Sequence, residues 1–77
     1  MALIRKFSRK EMDRNSVHDQ IDATYSAFNR DGRVFLLIDS YGRATRDMPD
    51  KKSQTIQLSE ESARQLFDIL RQEFRFV

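Results

Sequence analysis

The chain has 77 residues, with fourteen Lys+Arg against twelve Asp+Glu, a formal charge of +2, no cysteine and one histidine. That length makes one domain and a core burying only about 60% of the unfolded surface. Disulfide staples and thiolate metal sites are excluded, and no apolar run approaches the roughly 20 residues needed to cross a bilayer.

"MALIRKFSRK" has too few apolar residues, broken by charges, to read as a secretory signal, so the expectation is a soluble cytoplasmic protein. Positive charge is uneven. Residues 1–14 hold five basic residues against two acidic, and residues 30–52 hold six against four. No basic tail results.

Residues 1–20 read as an irregular or partly helical lead-in. "ALIRKF" fits a short strand, and Ser8 with Glu11 three residues later has capping-box spacing. The sheet is expected over 21–58. In "IDATYSAF", Ile21, Ala23, Tyr25 and Ala27 alternate with polar residues, the pattern of a half-buried strand. "NRDG" closes with Asp31-Gly32, a pair that tolerates positive φ in a hairpin turn. "RVFLLID" then carries five apolar residues in succession and reads as a central strand covered on both faces.

"SYGRATRDMPDKK" breaks that pattern. Gly42 points to a turn or bulge beside Tyr41, and Pro49-Asp50 to a second turn, with the polar "RATRD" between them as a short edge strand. "SQTIQLS" alternates again, with Ile56 and Leu58 on one face and Thr55 and Gln57 on the other. Ser59 caps a helix over 59–75, with Glu60 and Glu61 in its first turn where the dipole favours anions. Ala63, Leu66, Phe67, Leu70 and Phe74 follow as one stripe, widened by Ile69, with Arg71 and Arg75 at the cation-favouring end. The architecture predicted is α+β: an antiparallel three- or four-stranded meander with one C-terminal amphipathic helix packed across one face. One face of the sheet is then left for residues 1–20, a second subunit or a ligand to cover. A homodimer is expected.

Catalytic chemistry finds little support. His18 is the sole histidine and reads as a solvated surface residue. The aspartates match no calcium-loop spacing, and Asp39 reads as a strand-end residue meeting a turn or pairing with an arginine. Two glycines make no phosphate loop, and the serines lack a base partner. No enzyme activity, cofactor, metal or small-molecule substrate is expected. The remaining constellation is basic and aromatic: Tyr41, Arg43, Arg46, Lys51 and Lys52 near one end of the sheet, and Arg30 and Arg33 near the other hairpin. Basic side chains attract phosphates and rings stack on unpaired bases, although lysines and arginines at turns also serve to keep a loop solvated. Phe35 and Tyr25 read as core residues.

Residues 34–70, through "LLIDSY", "MPDKK", "IQLSEE" and "ARQLFDIL", resemble the layout of the single-stranded-DNA-binding transcriptional coactivators called positive cofactor four and their bacterial relatives. The resemblance implies a four-stranded curved sheet, dimerisation through the helices and single strands held along basic β-surfaces. Tyr41, Lys51 and Lys52 carry over as contacts. Asp39 stands where the family commonly has arginine, and the helix has no tryptophan. The chain is also similar to short bacterial proteins with "DGR…F…IDSYG…KSQ…EESA" patterns, some labelled formyltransferase-like, an activity for which this chain is too short. The function expected is single-stranded nucleic-acid binding through Tyr41, Arg43, Arg46, Lys51 and Lys52, without chemistry. A related version lays the sheet into duplex DNA. The other reading is a protein-interaction module that docks through the spare sheet face or the Phe74–Val77 end.

Overall fold

The structure is a computed structural model that describes residues 1–41 and 52–77, the side chains of residues 52 and 53 aside. Four strands and one helix follow in the order β1 (Ala2–Ile4), β2 (Ala23–Arg30), β3 (Arg33–Tyr41), β4 (Lys52–Leu58) and α1 (Glu60–Phe74). The strands form one sheet in the order β1-β4-β3-β2. The fold is therefore α+β, as the sequence predicts. β2, β3 and β4 are the antiparallel meander, but β1 pairs with β4 in parallel, so the sheet is mixed. β1 thus also runs parallel to β2 at the opposite edge, and joining two parallel strands of one sheet takes a long crossover. Residues 5–22 supply it, carrying the chain from one sheet edge to the other.

The β2–β3 hairpin closes on Asp31 at φ 54° and Gly32 at φ 76°. Positive φ at both corners is the type I′ turn, whose twist matches that of the strands it joins. A two-residue turn fixes the register, and Arg30, Phe28, Ser26 and Thr24 stand opposite Arg33, Phe35, Leu37 and Asp39. β2 is exposed along its whole length, contrary to the half-buried pattern expected, because it is an edge strand beyond the reach of the helix. β3 is central, yet Val34 remains 54% exposed and Phe35 to Ile38 are half-buried.

Side chains alternate across a sheet, so the register defines two faces. One carries Ile4, Leu36, Ile38, Ile56 and Leu58; the other carries Leu3, Phe28, Phe35, Leu37, Asp39, Thr55 and Gln57. Burial is deepest on the first, where Leu58 is 2% exposed, and α1 starts two residues later and packs over β3 and β4. On the second, Leu3, Thr55 and Gln57 line a shallow cavity of about 190 Å³ to which no helix residue contributes. The helix covers the first face; among the described elements none lies across the second, and only Ser59, Glu60 and Glu61 at the start of α1 share a cavity with its Arg33 and Phe35.

Ser59 caps α1 as expected, through a capping box that closes on Ser62. The Ser62 amide donates to the Ser59 hydroxyl at 3.3 Å, and the Ser59 amide donates to the Ser62 hydroxyl at 2.9 Å. The face of α1 turned inward differs from the stripe read in the sequence. Ser62 is fully buried, and Gln65, Leu66 and Ile69 are half-buried, whereas Phe67 and Phe74 are 49% and 66% exposed. Gln65 faces the crossover segment: it accepts the Phe7 amide at 2.7 Å and donates to the Phe7 carbonyl at 2.9 Å. Residues 5–22 hold neither helix nor strand. Glu11, read as a capping-box acceptor, instead binds Arg9 at 2.7 Å, and Arg9 also reaches Glu73 at 2.8 Å. Those hydrogen bonds, to Glu11 first and Glu73 second, raise the pKa of the Arg9 guanidinium. No described helix is long and apolar enough to cross a membrane.

Candidate nucleic-acid interface

The open face of the β2–β3 ribbon is a ladder of cross-strand pairs. Counted outward from the Asp31-Gly32 turn, the first rung is Arg30 opposite Arg33, the second Phe28 opposite Phe35, the third Ser26 opposite Leu37, and the fourth Thr24 opposite Asp39. Each rung follows from a two-residue turn and a period of two, so all four share a face.

Arg30 and Arg33 are both exposed, and neither forms an ion pair with a described residue. Like charges directly opposite one another on a sheet destabilise it. Glu60 and Glu61 line a cavity of about 180 Å³ together with Arg33, but they stay outside ion-pair distance of it. The Phe28 and Phe35 rings stack with centroids 5.4 Å apart at 20°. Phe35, read as a core residue, is half-buried and stacks on Phe28 on the second face. Tyr25, also read as core, is 80% exposed on the other face at the sheet edge.

At the far end of the ladder Tyr41 is half-buried, and its hydroxyl shares a hydrogen bond with the Thr24 hydroxyl at 3.1 Å. Its amide donates to the Asp22 carbonyl at 3.1 Å, extending the ribbon by one more rung. Lys52 stands opposite Tyr41 across a register shift between Ser40 and Tyr41, which is the irregularity expected near Gly42. The structure thus brings Tyr41 and the Lys52 backbone together. Arg43, Arg46 and Lys51, as well as the proposed "RATRD" edge strand, lie outside the described residues. Asp39, between the aromatic pair and Tyr41, is 7% exposed and accepts the Thr55 hydroxyl at 2.6 Å. A buried carboxylate held this way serves the sheet, and the anion-attracting end of the face is the arginine rung.

The pairing that the sequence reading did not draw is Phe28 opposite Phe35, the latter having been read as core. The signal was present: once Asp31-Gly32 is the turn, residues equidistant from it must face each other. His18 is exposed, and no group of described residues could hold a metal ion. No family model, curated protein or solved structure matches the chain, so the face has to be read from its own residues.

Proposed function

We propose that the protein binds single-stranded nucleic acid along the open sheet face and performs no chemistry on it. The observation that carries this reading is the arginine rung beside the aromatic rung: two guanidinium groups, without an ion-pair partner among the described residues, held opposite each other next to a stacked pair of rings. An anion between Arg30 and Arg33 relieves their repulsion, and phosphate suits the planar donor fork of arginine. Phe28 and Phe35 offer a surface for an unpaired base, and Tyr41 a second ring about 20 Å further along the strand. Unpaired bases expose the faces that such rings stack on, whereas bases in a duplex do not, which favours single strands. Arg43, Arg46, Lys51 and Lys52 are the further basic residues proposed from the sequence as phosphate contacts.

Fluorescence anisotropy with labelled single- and double-stranded oligonucleotides, from low to physiological salt, tests this. The expected result is salt-sensitive binding that prefers single strands. Replacing both Arg30 and Arg33 by Ala should flatten the slope of log affinity against log salt by about 1.4, the share of two phosphate contacts. Absence of binding at low salt would refute the reading.

A further inference from the structure

We propose that the β2 edge is an interface for a second copy of this chain. The two β2 strands pair antiparallel about a two-fold axis at Ser26 and join the two four-stranded sheets into one. Tyr41 of each copy is thereby brought to the arginine rung of the other. A type I′ turn makes Arg30 and Arg33 a hydrogen-bonded pair, and such pairs then recur at every second residue. The Tyr41 amide donating to the Asp22 carbonyl at 3.1 Å keeps that parity at the far end. The backbone N–H and C=O groups of Ala23, Tyr25, Ala27 and Asn29 therefore point away from β3. No described element lies beyond β2, so these groups have no partner among the described residues. An unpaired edge is a template for another strand, and natural sheets blunt it with a short strand, proline, lysine or a bulge. The β1 edge is blunted by its length of three residues, whereas β2 runs for eight, exposed throughout, with Arg30 as its only charge.

Charge and size along the edge fit a copy of itself. Hydrogen-bonded pairs between the copies must join outward-pointing residues of both strands. An axis at Ser26 sets Tyr25 against Ala27 and Ala23 against Asn29, each pair occurring twice, as an isologous interface requires. Tyr25, 80% exposed, then covers an alanine, large against small. The same axis sets Arg30 of one copy opposite Asp22 of the other on the open face. Both residues are exposed, and neither forms an ion pair with a described residue. An axis at any other residue of β2 loses both ion pairs. Asp22 approaches Arg30 from the side away from Arg33, so the space between the two arginines stays open. The row across the joined face reads Arg33 and Arg30 from one copy, then Asp22 and Tyr41 from the other. Tyr41 of the other copy stands about 10 Å from Arg30, two strand spacings, in place of about 20 Å within one chain. The pairing does not depend on what the open face binds; the part given to the other copy's Tyr41 rests on the single-strand reading above. The helix takes no part in it.

Sedimentation equilibrium of the full chain without nucleic acid tests the pairing. Arg30→Asp and Asp22→Arg, each alone, set like charges together in their own dimers, so each dissociation constant should rise at least about tenfold. Mixed in equal amounts the two variants restore both ion pairs, and the mixture should dimerise as wild type does. Ala27→Pro removes an outward N–H that the monomer leaves unused, so it should keep the circular dichroism spectrum and lose the dimer. The chain lacks cysteine, and Ser26→Cys should close a disulfide with its own copy across the axis. Labelled oligothymidine should bind Ala27→Pro about tenfold more weakly than wild type, the share of one stacked base. A wild-type dimer that binds no oligothymidine would overturn the single-strand reading, and the part of Tyr41 with it, while upholding the pairing. A wild-type chain that stays monomeric at roughly 100 µM would overturn the pairing itself. So would a dimer unmoved by both Arg30→Asp and a folded Ala27→Pro, or a disulfide that forms in Phe67→Cys on α1 but not in Ser26→Cys.

Discussion

Under the proposed function, Arg30 and Arg33 set stability against binding. Standing opposite one another, they cost the sheet something that an ordinary hairpin would avoid. Arg33→Glu replaces repulsion by attraction across the same rung, and calorimetry should show the variant more stable by about 0.2–1 kcal/mol. Its affinity for single-stranded DNA should fall sharply, because the rung becomes neutral and phosphate then meets a carboxylate. A variant that loses both stability and binding would show that the arginines serve folding instead. Asp39 is the contrasting residue. Thr55→Val removes a hydroxyl donor at 2.6 Å from a carboxylate that is 7% exposed, and should cost about 1.5–3 kcal/mol in denaturant unfolding, as for hydrogen bonds to charged groups. These two cases show how far single residues could be read in advance. That Asp39 ends the apolar strand and that arginines flank the turn are visible in the order of residues. That the arginines face each other depends on register, and register depends on the turn having two residues and no more.

Among the elements, the helix shows both what a sequence reveals and what it hides. Its start was legible because Ser59, Glu60 and Glu61 are local chemistry, and the cap is there with Ser62 closing the box. Ser59→Ala should lower stability by about 1 kcal/mol, or roughly 4–8 °C in Tm for a domain of this size. No change in Tm would mean that the cap is dispensable. The direction in which the helix faces was hidden. Periodicity identifies the residues that avoid water, but not which of two neighbours removes them from it. Ser62 and Gln65 are polar, yet both turn inward, since one is used by the cap and the other ties the Phe7 backbone to the helix. β1 was legible as a short strand in "ALIRKF", but its place in the sheet, parallel to β4, was hidden for a related reason. Three residues give too little pattern to choose a neighbour, and the one they pair with, Ile56 to Leu58, lies over fifty positions away.

At the scale of the whole molecule, one layer of helix and crossover segment covers one sheet face, and Leu58 is the only large apolar side chain fully buried among the described residues. A chain of this length has about 4–12 kcal/mol of stability in all. Leu58→Ala should remove about 2–5 kcal/mol of it, as denaturant unfolding followed by far-ultraviolet circular dichroism would record. A loss below 1 kcal/mol would place the core elsewhere. So small a core leaves two surfaces unsatisfied, the apolar seam of α1 and the open sheet face. The sheet face, with its arginine and aromatic rungs, is the one proposed to take an anionic strand. The central claim is that the second surface is the binding site. Titrating isotope-labelled protein with an oligothymidine while following backbone amide resonances tests it most directly. The account predicts that shifts concentrate on Thr24, Ser26, Phe28, Arg30, Arg33, Phe35 and Tyr41, with α1 unmoved. Shifts confined to α1 or to residues 5–22, or none at low salt, would contradict it.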